Sequence, residues 1–239
     1  DAQDDRGLEA LRGITLSLAE GEILGIAGVA GNGQRELSQV IAGLRPCTAG
    51  HIELDGRDVT RAGAREMATA GLAYIPEDRM GEGLAGNLPL LDNALMRAYY
   101  REPVAAGPFL RPKAALDFTR RLLGRFNMQI PVATPARTLS GGQLQRFLLA
   151  REMAVQPRVV VAVHPTRGLD VGATAAVHDW LLGERDAGCA ILLISEDLDE
   201  ILRLSDRVAA MYEGQIREVL PAREATRERV GLLMAGVAA

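Results

Sequence analysis

Short apolar runs alternate with stretches of helical periodicity along most of this chain. Continuous runs typical of strands buried on both faces occur at residues 23–27, 71–76, 158–163 and 189–194. Apolar residues spaced as on one face of a helix follow at residues 36–44, 172–183 and 198–204. This alternation predicts an α/β fold, with a mostly parallel sheet and helices on both of its faces.

Other patterns predict strands and a helix nearer the chain ends. Partial period-two apolarity from Leu11 to Leu18 indicates an N-terminal strand, and residues 51–56 indicate a strand that ends in a hairpin. Two apolar runs at 208–212 and 215–219 flank a Glu-Gly pair and predict a second hairpin. Residues 223–234 have the pattern of an amphipathic helix.

The middle of the chain has a different character. Strand signals disappear between residues 87 and 153, and helical runs take their place. One helical face is expected at 90–95 and another at 114–126, the latter ended by Asn127 and Pro131. We therefore expect a helical lobe at 87–153, inserted between two segments of one core.

Composition narrows the class of protein. The chain has 239 residues, of which 48% are apolar, 24% charged and 4% aromatic, as in an ordinary globular protein. The net charge of −4 argues against a globally basic binder of nucleic acid and leaves only a local basic patch open. The apolar runs are too short for a membrane span, which needs about 20 residues. Cys47 and Cys189 lack disulfide or metal-ligand spacing and are predicted to be small core or surface residues.

A glycine-rich turn joins the first buried strand to the following helix. Gly28 and Gly33 have the spacing of a loop that binds nucleoside triphosphates, and Gly31 lies between them. Such glycines let backbone N–H groups surround a phosphate at a helix N-terminus. The lysine position, however, holds Gln34, and the Mg²⁺-binding hydroxyl position holds Arg35. These residues alone leave two interpretations, a nucleotide loop of altered chemistry or a turn that binds no ligand.

A second motif decides the family. Residues 139–143 read Leu-Ser-Gly-Gly-Gln and precede an apolar helix, which again places small residues at an anion-binding helix N-terminus. The strand at 158–163 and the string Pro-Thr-Arg-Gly-Leu-Asp-Val-Gly at 165–172 follow. In this order the motifs resemble those of the ATP-binding-cassette (ABC) ATPases over roughly residues 8–220.

The resemblance implies a fold and a domain organisation. The expected fold is that of a P-loop NTPase (RecA-like), with an N-terminal antiparallel β portion and an inserted helical lobe. Residues 1–86 and 154–239 would form the ATP-binding core, and residues 87–153 the lobe that carries the signature. The strings at 74–79 and 165–173 further resemble the second cassette of tandem bacterial importers of sugars and nucleosides. The start of the chain resembles a cut linker, so we expect one cassette of a longer tandem protein.

The resemblance also assigns ATP contacts residue by residue. Those of the chain's own loop are Gly28, Gly31, Asn32, Gly33, Gln34, Arg35 and Glu36. Those that would face the ATP of a partner cassette are Leu139, Ser140, Gly141, Gly142 and Gln143 of the signature, with Asp170 at the D-loop aspartate.

Several positions that carry charge or catalysis in the family are replaced here. They are Gln34 for the phosphate lysine, Arg35 for the metal hydroxyl, Glu77 for the Q-loop glutamine, Val163 for the metal aspartate, His164 for the catalytic glutamate and Glu196 for the switch histidine. Each lost charged contact is worth about 1.5–3 kcal/mol, and a lost base about 10²–10⁴ in rate. We expect no catalytic residue and no metal site in this cassette, and Mg²⁺ only at a partner's site. Weak nucleotide binding without turnover and an empty loop both stay open.

Family members pair head to tail, so that each ATP lies between one phosphate loop and the other cassette's signature. We expect this chain to lend its signature to a second cassette, the N-terminal half of the same polypeptide, which hydrolyses ATP. The alternative is an unused signature. Transmembrane permease subunits would contact residues 77–100, where Tyr99 and Tyr100 are either groove anchors or ordinary helix-face residues. An extracytoplasmic solute-binding protein would act indirectly, and the cassette would lie on the cytoplasmic face of the bacterial plasma membrane.

Two rival functions are a soluble two-cassette protein that acts on ribosomes or DNA, and an active stand-alone ATPase. The negative net charge disfavours the first, and the replaced positions disfavour the second. Of the other residues, His51 and His178 are predicted to be exposed or half-buried, and Trp180 is predicted to lie in the core. The string at 31–34 and the missing acidic pair before Pro165 favour a nucleoside importer over a sugar importer.

Overall fold

The computed structural model describes residues 1–237, and its main sheet contains the predicted buried strands. The strands are β1 (Ala2–Gln3), β2 (Glu9–Leu11), β3 (Ile23–Ala27), β4 (Glu53–Leu54), β5 (Arg57–Asp58), β6 (Leu72–Ile75), β7 (Ala105–Ala106), β8 (Phe109–Leu110), β9 (Val159–Val163), β10 (Ala190–Ser195), β11 (Arg207–Tyr212) and β12 (Gln215–Pro221). Within the described residues the main sheet has the order β12-β11-β3-β10-β9-β6. β3 is parallel to β10 and β11, β9 is parallel to β10, and β12 is antiparallel to β11.

Helices connect these strands. In the described part of the chain they are α1 (Gln34–Ile41), α2 (Ala64–Thr69), α3 (Leu90–Leu95), α4 (Pro112–Arg125), α5 (Gly141–Met153), α6 (Val171–Asp186), α7 (Leu198–Leu204) and α8 (Arg227–Met234), with one π-helical turn at Arg79–Gly83. The predicted bounds of α7 are confirmed. The closing helix is shorter than predicted because Thr226 caps α8 by accepting a hydrogen bond from the Arg229 N–H over 3.2 Å.

The centre of the sheet is apolar on both faces. All residues of β3 and β10 are buried, and Ile23, Ile191 and Leu193 are fully buried. These strands have continuous rather than alternating apolar sequences because helices cover both faces of a parallel sheet. Burying each such side chain contributes about 1.5–3 kcal/mol to folding. β3 ends at the glycine-rich loop, and β9 and β10 end just before His164 and Glu196.

The strand predicted from Leu11 to Leu18 is shorter in the structure. β2 ends at Leu11, which pairs with Ala2 of β1 in an antiparallel ladder. Ile14, Leu16 and Leu18 are half-buried, alternate with exposed neighbours and pack against the core, but they form no ladder in the described residues. The alternation therefore predicted correctly which side chains face the core, but wrongly predicted a continued strand.

The prediction that residues 87–153 contain only helices was also incomplete, because two short strands lie in this region. β7 and β8 form a short antiparallel pair in which Ala105 opposes Leu110 and Ala106 opposes Phe109. Gly107 turns the chain between them with φ +59°. This pair is too short to show period-two alternation, and Phe109 is 73% exposed.

The described chain divides into two compact units. The first comprises Asp1–Tyr74, Arg158–His164 and residues 178–237, and the second comprises Ile75–Pro157 and Pro165–Val177. The glycine-rich loop lies in the first unit. The Leu-Ser-Gly-Gly-Gln motif lies in the second.

His178 does not fit its prediction. It is 6% exposed rather than half-buried, and its Nε2 lies 2.9 Å from Oε1 of Glu200, which is 3% exposed. This contact joins α6 to α7 within the first unit. Trp180 is half-buried rather than in the core, and His51 is exposed.

Candidate functional site

The glycine-rich loop connects β3 to α1 and has the backbone shape of a phosphate-binding loop. Gly31 and Gly33 have φ values of +85° and +102°, which favour glycine. A Cβ at Gly33 would lie 2.8 Å from the carbonyl oxygen of Ala10 and 2.9 Å from a methyl group of Leu11. Gly33 is therefore required both by its conformation and by close backbone approach.

The side chain of Gln34 is folded back into this loop and is 6% exposed. Its Nε2 donates to the carbonyl oxygen of Val29 over 2.9 Å, and its Oε1 accepts from the N–H of Asn32 over 3.1 Å. A Cβ at Gly28 would lie 2.5 Å from that Nε2, so glycine makes room for the amide. Gln34 thus occupies a loop N–H group of the kind that surrounds phosphate in glycine-rich loops, and it adds no positive charge.

Asn32 fastens the loop to the turn between β11 and β12. Its Oδ1 accepts from the N–H of Glu213 over 2.6 Å, and its carbonyl oxygen accepts from the N–H of Gly214 over 2.9 Å. Its side-chain amide donates to Val29 over 2.9 Å. Contacts within the protein therefore hold the loop in shape.

Arg35 points toward the N-terminal segment. Its guanidinium lies 3.6 Å from a carboxylate oxygen of Asp5, which also binds Arg45. The hydrogen bond from Arg45 lowers the pKa of Asp5 below its usual value, and so does the charge of Arg35. Glu36, also assigned to the loop, is half-buried in the first turn of α1, where a negative charge is favourable.

The positions assigned to metal and base lie at the end of β9. Val163 is 3% exposed and offers only hydrocarbon, so it does not fit Mg²⁺, and neither does the cationic Arg35. His164 has φ +46°, and its N–H donates to the carbonyl oxygen of Ile194 over 2.8 Å. Its Nδ1 accepts from the N–H of Glu196 over 3.3 Å, which places the ring proton of a neutral His164 on Nε2. The structure therefore brings His164 and Glu196 together.

The Leu-Ser-Gly-Gly-Gln motif forms the N-terminus of α5. Ser140 caps the helix through a reciprocal pair of hydrogen bonds with Gln143, 3.3 Å to the Ser140 Oγ and 2.9 Å to the Gln143 Oε1. Leu139 is 8% exposed and anchors the turn. A Cβ added at Gly141 or Gly142 would meet nothing closer than 3.7 Å in this chain. The two glycines therefore leave space above the helix end that the fold itself does not need.

Asp170 caps α6 on the same unit. Its Oδ1 accepts from the N–H of Ala173 over 2.9 Å. Val171, which follows it, is 88% exposed. A Cβ at Gly141 would lie 3.8 Å from the carbonyl oxygen of Gly168, and one at Gly142 would lie 3.7 Å from the Cβ of Ala173. The signature and the D-loop segment are therefore neighbours.

Glu77, which the resemblance assigns to the Q-loop, forms an ion pair with Arg167. The sequence placed Arg79 in the string at 74–79 and Gln145 just after the signature but gave neither residue a role. The structure joins them by a 2.6 Å hydrogen bond from the Arg79 Nε to the Gln145 Oε1. Burial lowers the pKa of Arg79 below its usual value. Composition and periodicity do not distinguish such an arginine and glutamine from ordinary surface residues.

Comparison with known proteins shows which family this chain belongs to. The family described as ABC transporter matches residues 11–167, which is more than half of the chain. The chain belongs to this ABC transporter family. The chain is 43% identical to the glucose import ATP-binding protein TsgD13 of Haloferax volcanii, over 98% of this chain and 43% of the relative. It is 42% identical to the guanosine import ATP-binding protein NupO of Bacillus subtilis, over 98% of this chain and 46% of the relative.

This ABC cassette thus spans less than half the length of these curated relatives. A solved ATP-binding subunit of an ABC transporter matches with a TM-score of 0.77 and 20% identity, over 98% of this chain and 96% of that one. A nucleotide-free ATP-binding cassette matches with a TM-score of 0.73 and 21% identity, over 95% and 89% of the two chains. The predicted ABC ATPase fold is confirmed. Among residues 1–237, no helix is both long and apolar enough to cross a bilayer.

Proposed function

We propose that this ABC cassette serves an importer of sugars or nucleosides, and that it completes the ATP site of a partner cassette rather than hydrolysing ATP at its own loop. The two curated relatives named above are described as import proteins for glucose and for guanosine. Their similar identities to this chain support the class of solute and favour neither member of it. The altered loop and intact signature support the division of labour.

The observation that carries the proposal is the position of Gln34. Its amide is bonded at both ends to the loop backbone, so nucleotide must displace these bonds before a phosphate enters. The loop also lacks a lysine whose positive charge could compensate for the loss of these bonds. A charged hydrogen bond is worth about 1.5–3 kcal/mol. ATP therefore binds weakly at this loop.

Hydrolysis at the same loop lacks its electrostatic partners as well. Phosphoryl transfer depends almost wholly on charges positioned around the reacting group. Val163 supplies no carboxylate, and the Glu196 N–H occupies the Nδ1 of His164. Because Val163 and Arg35 do not fit Mg²⁺, no catalytic step is assigned to this loop. Mg²⁺ belongs to the site of the partner.

The Leu-Ser-Gly-Gly-Gln signature supports the proposal that this cassette completes the ATP site of a partner. Ser140, Gly141 and Gly142 present an uncrowded helix N-terminus, which is an anion-binding arrangement. In a head-to-tail pair this end of α5 faces the γ-phosphate bound by the partner, and Asp170 lies on the adjoining segment. The partner is a second cassette, in our proposal the N-terminal half of the same polypeptide. Permease subunits and a solute-binding protein complete an importer whose cassettes lie on the cytoplasmic face of the membrane, without a nucleic-acid ligand.

The direct test is Mg²⁺-dependent phosphate release by the purified chain at saturating ATP. We expect release no faster than that of a Gln34→Ala variant or a chelated control. Rapid release that disappears in a Gly33→Ala variant whose circular dichroism matches that of the parent would assign hydrolysis to this loop and refute the proposal. Uptake assays with a labelled hexose and a labelled nucleoside, in cells that express the complete transporter, distinguish the two classes of solute.

A further inference from the structure

The second compact unit contains a polar network that ties three functional segments together. Arg79 lies in the π-helical turn that follows the Q-loop position. Its Nε donates to Oε1 of Gln145 over 2.6 Å, and its Nη2 donates to the carbonyl oxygen of Arg167. The side chain of Arg167 in turn pairs with Glu77. One guanidinium therefore bridges helix α5 and the segment that leads to Asp170.

Gln145 is an unusual partner because it is 1% exposed. Its Nε2 is buried and has no hydrogen-bond partner within residues 1–237. The bond from Arg79 is therefore the contact that offsets the cost of burying this amide. Gln145 is the fifth residue of α5, so its placement fixes the beginning of the signature helix just after its first turn.

The turn that carries Arg79 is itself fixed along α5. Asp78 caps it by accepting from the N–H groups of Met80 and Gly81 over 3.0 and 2.8 Å. Further along α5, Nη1 of Arg151 donates to the carbonyl oxygen of Gly83 over 2.8 Å. Gln145 and Arg151 lie six positions apart and face the same turn, so Arg79 acts from a held position rather than as a mobile surface side chain.

We infer that Arg79 is a positioning residue for the signature. It locks α5 to residues 167–173, so that Ser140, Gly142 and Asp170 meet the partner's ATP as one rigid surface. This inference rests on the proposed role of the signature. Arginine is required because the donors that reach Gln145 and Arg167 lie on separate arms of a planar fork, which the single ammonium of a lysine cannot reproduce.

The test uses the complete transporter with its partner cassette and permease subunits. Arg79→Met and Arg79→Lys should each lower kcat for ATP about tenfold at temperatures well below unfolding, with KM unchanged, because the lost contact is used when the pair closes. The midpoint of thermal unfolding should fall by a few degrees, because each substitution leaves the buried amide of Gln145 without its hydrogen bond. Arg121→Met removes an exposed arginine from α4 of the same unit and should change none of these values.

Gln145→Leu provides a second route if Arg79→Met does not fold. Leucine fits a buried position and removes the acceptor, so it should reproduce the loss of kcat. Adding Arg79→Lys to Gln145→Leu should then cause no further loss. An unchanged kcat in the Arg79 variants, multiplicative effects in the double variant, or a loss of kcat that disappears at temperatures well below the unfolding midpoint would each overturn the inference.

Gly142→Asp distinguishes this inference from the proposed function. If Gly142→Asp abolishes ATP hydrolysis but Arg79→Met leaves it unchanged, the signature is used and Arg79 does not position it. If Gly142→Asp has no effect, the proposed function itself fails.

Discussion

The backbone N–H of Glu196 donates a hydrogen bond to the Nδ1 of His164 over 3.3 Å. The family resemblance assigns a glutamate to position 164 and a histidine to position 196. This cassette has the two residue types exchanged. The exchange places an imidazole at φ +46° and leaves the carboxylate of Glu196 exposed on the neighbouring loop.

Substitutions at His164 can therefore distinguish the energetic cost of its backbone conformation from a chemical role of its imidazole. His164→Gly should leave the free energy of unfolding within about 1 kcal/mol of the parent, because glycine adopts a positive φ without a Cβ clash. His164→Val should destabilise by about 1–2 kcal/mol or more. Urea unfolding followed by circular dichroism measures both values.

His51→Val is the matched control, since His51 is exposed and does not have a positive φ. It should change the unfolding free energy by less than about 0.5 kcal/mol. In the complete transporter, His164→Gly should also keep the ATPase rate within about twofold of the parent. A large loss of ATPase activity would show that this imidazole takes part in hydrolysis.

Gly142→Asp should reduce ATP hydrolysis by the complete transporter by about 10²-fold or more, because it places bulk and negative charge where, in the proposed pair, the partner's γ-phosphate approaches. The chain itself tolerates a Cβ there, with Ala173 as the nearest contact at 3.7 Å. The loss should therefore occur without a change in thermal stability. Phosphate release and differential scanning fluorimetry measure the two quantities.

Gly124→Asp is the control for that substitution. Gly124 is exposed on α4, and a Cβ there meets no atom within 4 Å. ATPase activity close to that of the parent is expected. Equal losses in both variants would point to a general effect of a new aspartate.

Gln34→Lys should strengthen nucleotide binding by the chain about tenfold without producing hydrolysis. The new ammonium restores one charged contact, worth about 1.5–3 kcal/mol, while Val163 still provides no metal ligand. Isothermal titration with ATP measures the affinity, and phosphate release measures turnover. Gln215→Lys adds the same charge at an exposed position of β12 and should leave the affinity unchanged. Turnover that appears with Gln34→Lys alone contradicts the electrostatic account of the loop.

Cys189 should resist thiol reagents in the folded chain. Burial, and to a lesser extent the charge of Glu184, raises the pKa of this thiol to about 12. The thiolate fraction at pH 8 is then about 10⁻⁴. Alkylation by iodoacetamide, followed by mass spectrometry, should modify Cys47 before Cys189, and the order should disappear in urea. Prompt labelling of Cys189 in the folded protein would show that the thiol is accessible.

The same shift has a consequence for stability. A thiol whose pKa is raised by folding contributes stability below its ordinary value of 9.0, and that contribution is lost as the pH rises toward about 12. The parent should therefore lose more stability between these pH values than Cys189→Ala does. Equal alkaline losses in the two proteins contradict this prediction.

The parallel strands were predictable because their apolar runs are continuous, and the loop was predictable because glycines mark backbone that other residues rarely adopt. The strand expected beyond Leu11 failed for a reason that lies outside local sequence. Alternation reports which side chains face the core, whereas a strand also needs a neighbouring chain with free N–H and C=O groups.

In the candidate site, too, some features could be predicted from the sequence and others could not. The residue types at Gln34 and Val163 were readable, since they are local substitutions in recognisable motifs. The bond from Arg79 to Gln145 joins positions 66 residues apart, and the burial of His178 depends on Glu200, 22 residues away. No periodicity in the sequence encodes either pairing.

The amide of Gln34 has an implication for energy coupling. On the proposed function, a loop filled by its own side chain would not respond to the cellular ratio of ATP to ADP. A transporter assembled with such a cassette would then consume one ATP per solute moved rather than two, and its timing would be set by the partner cassette alone.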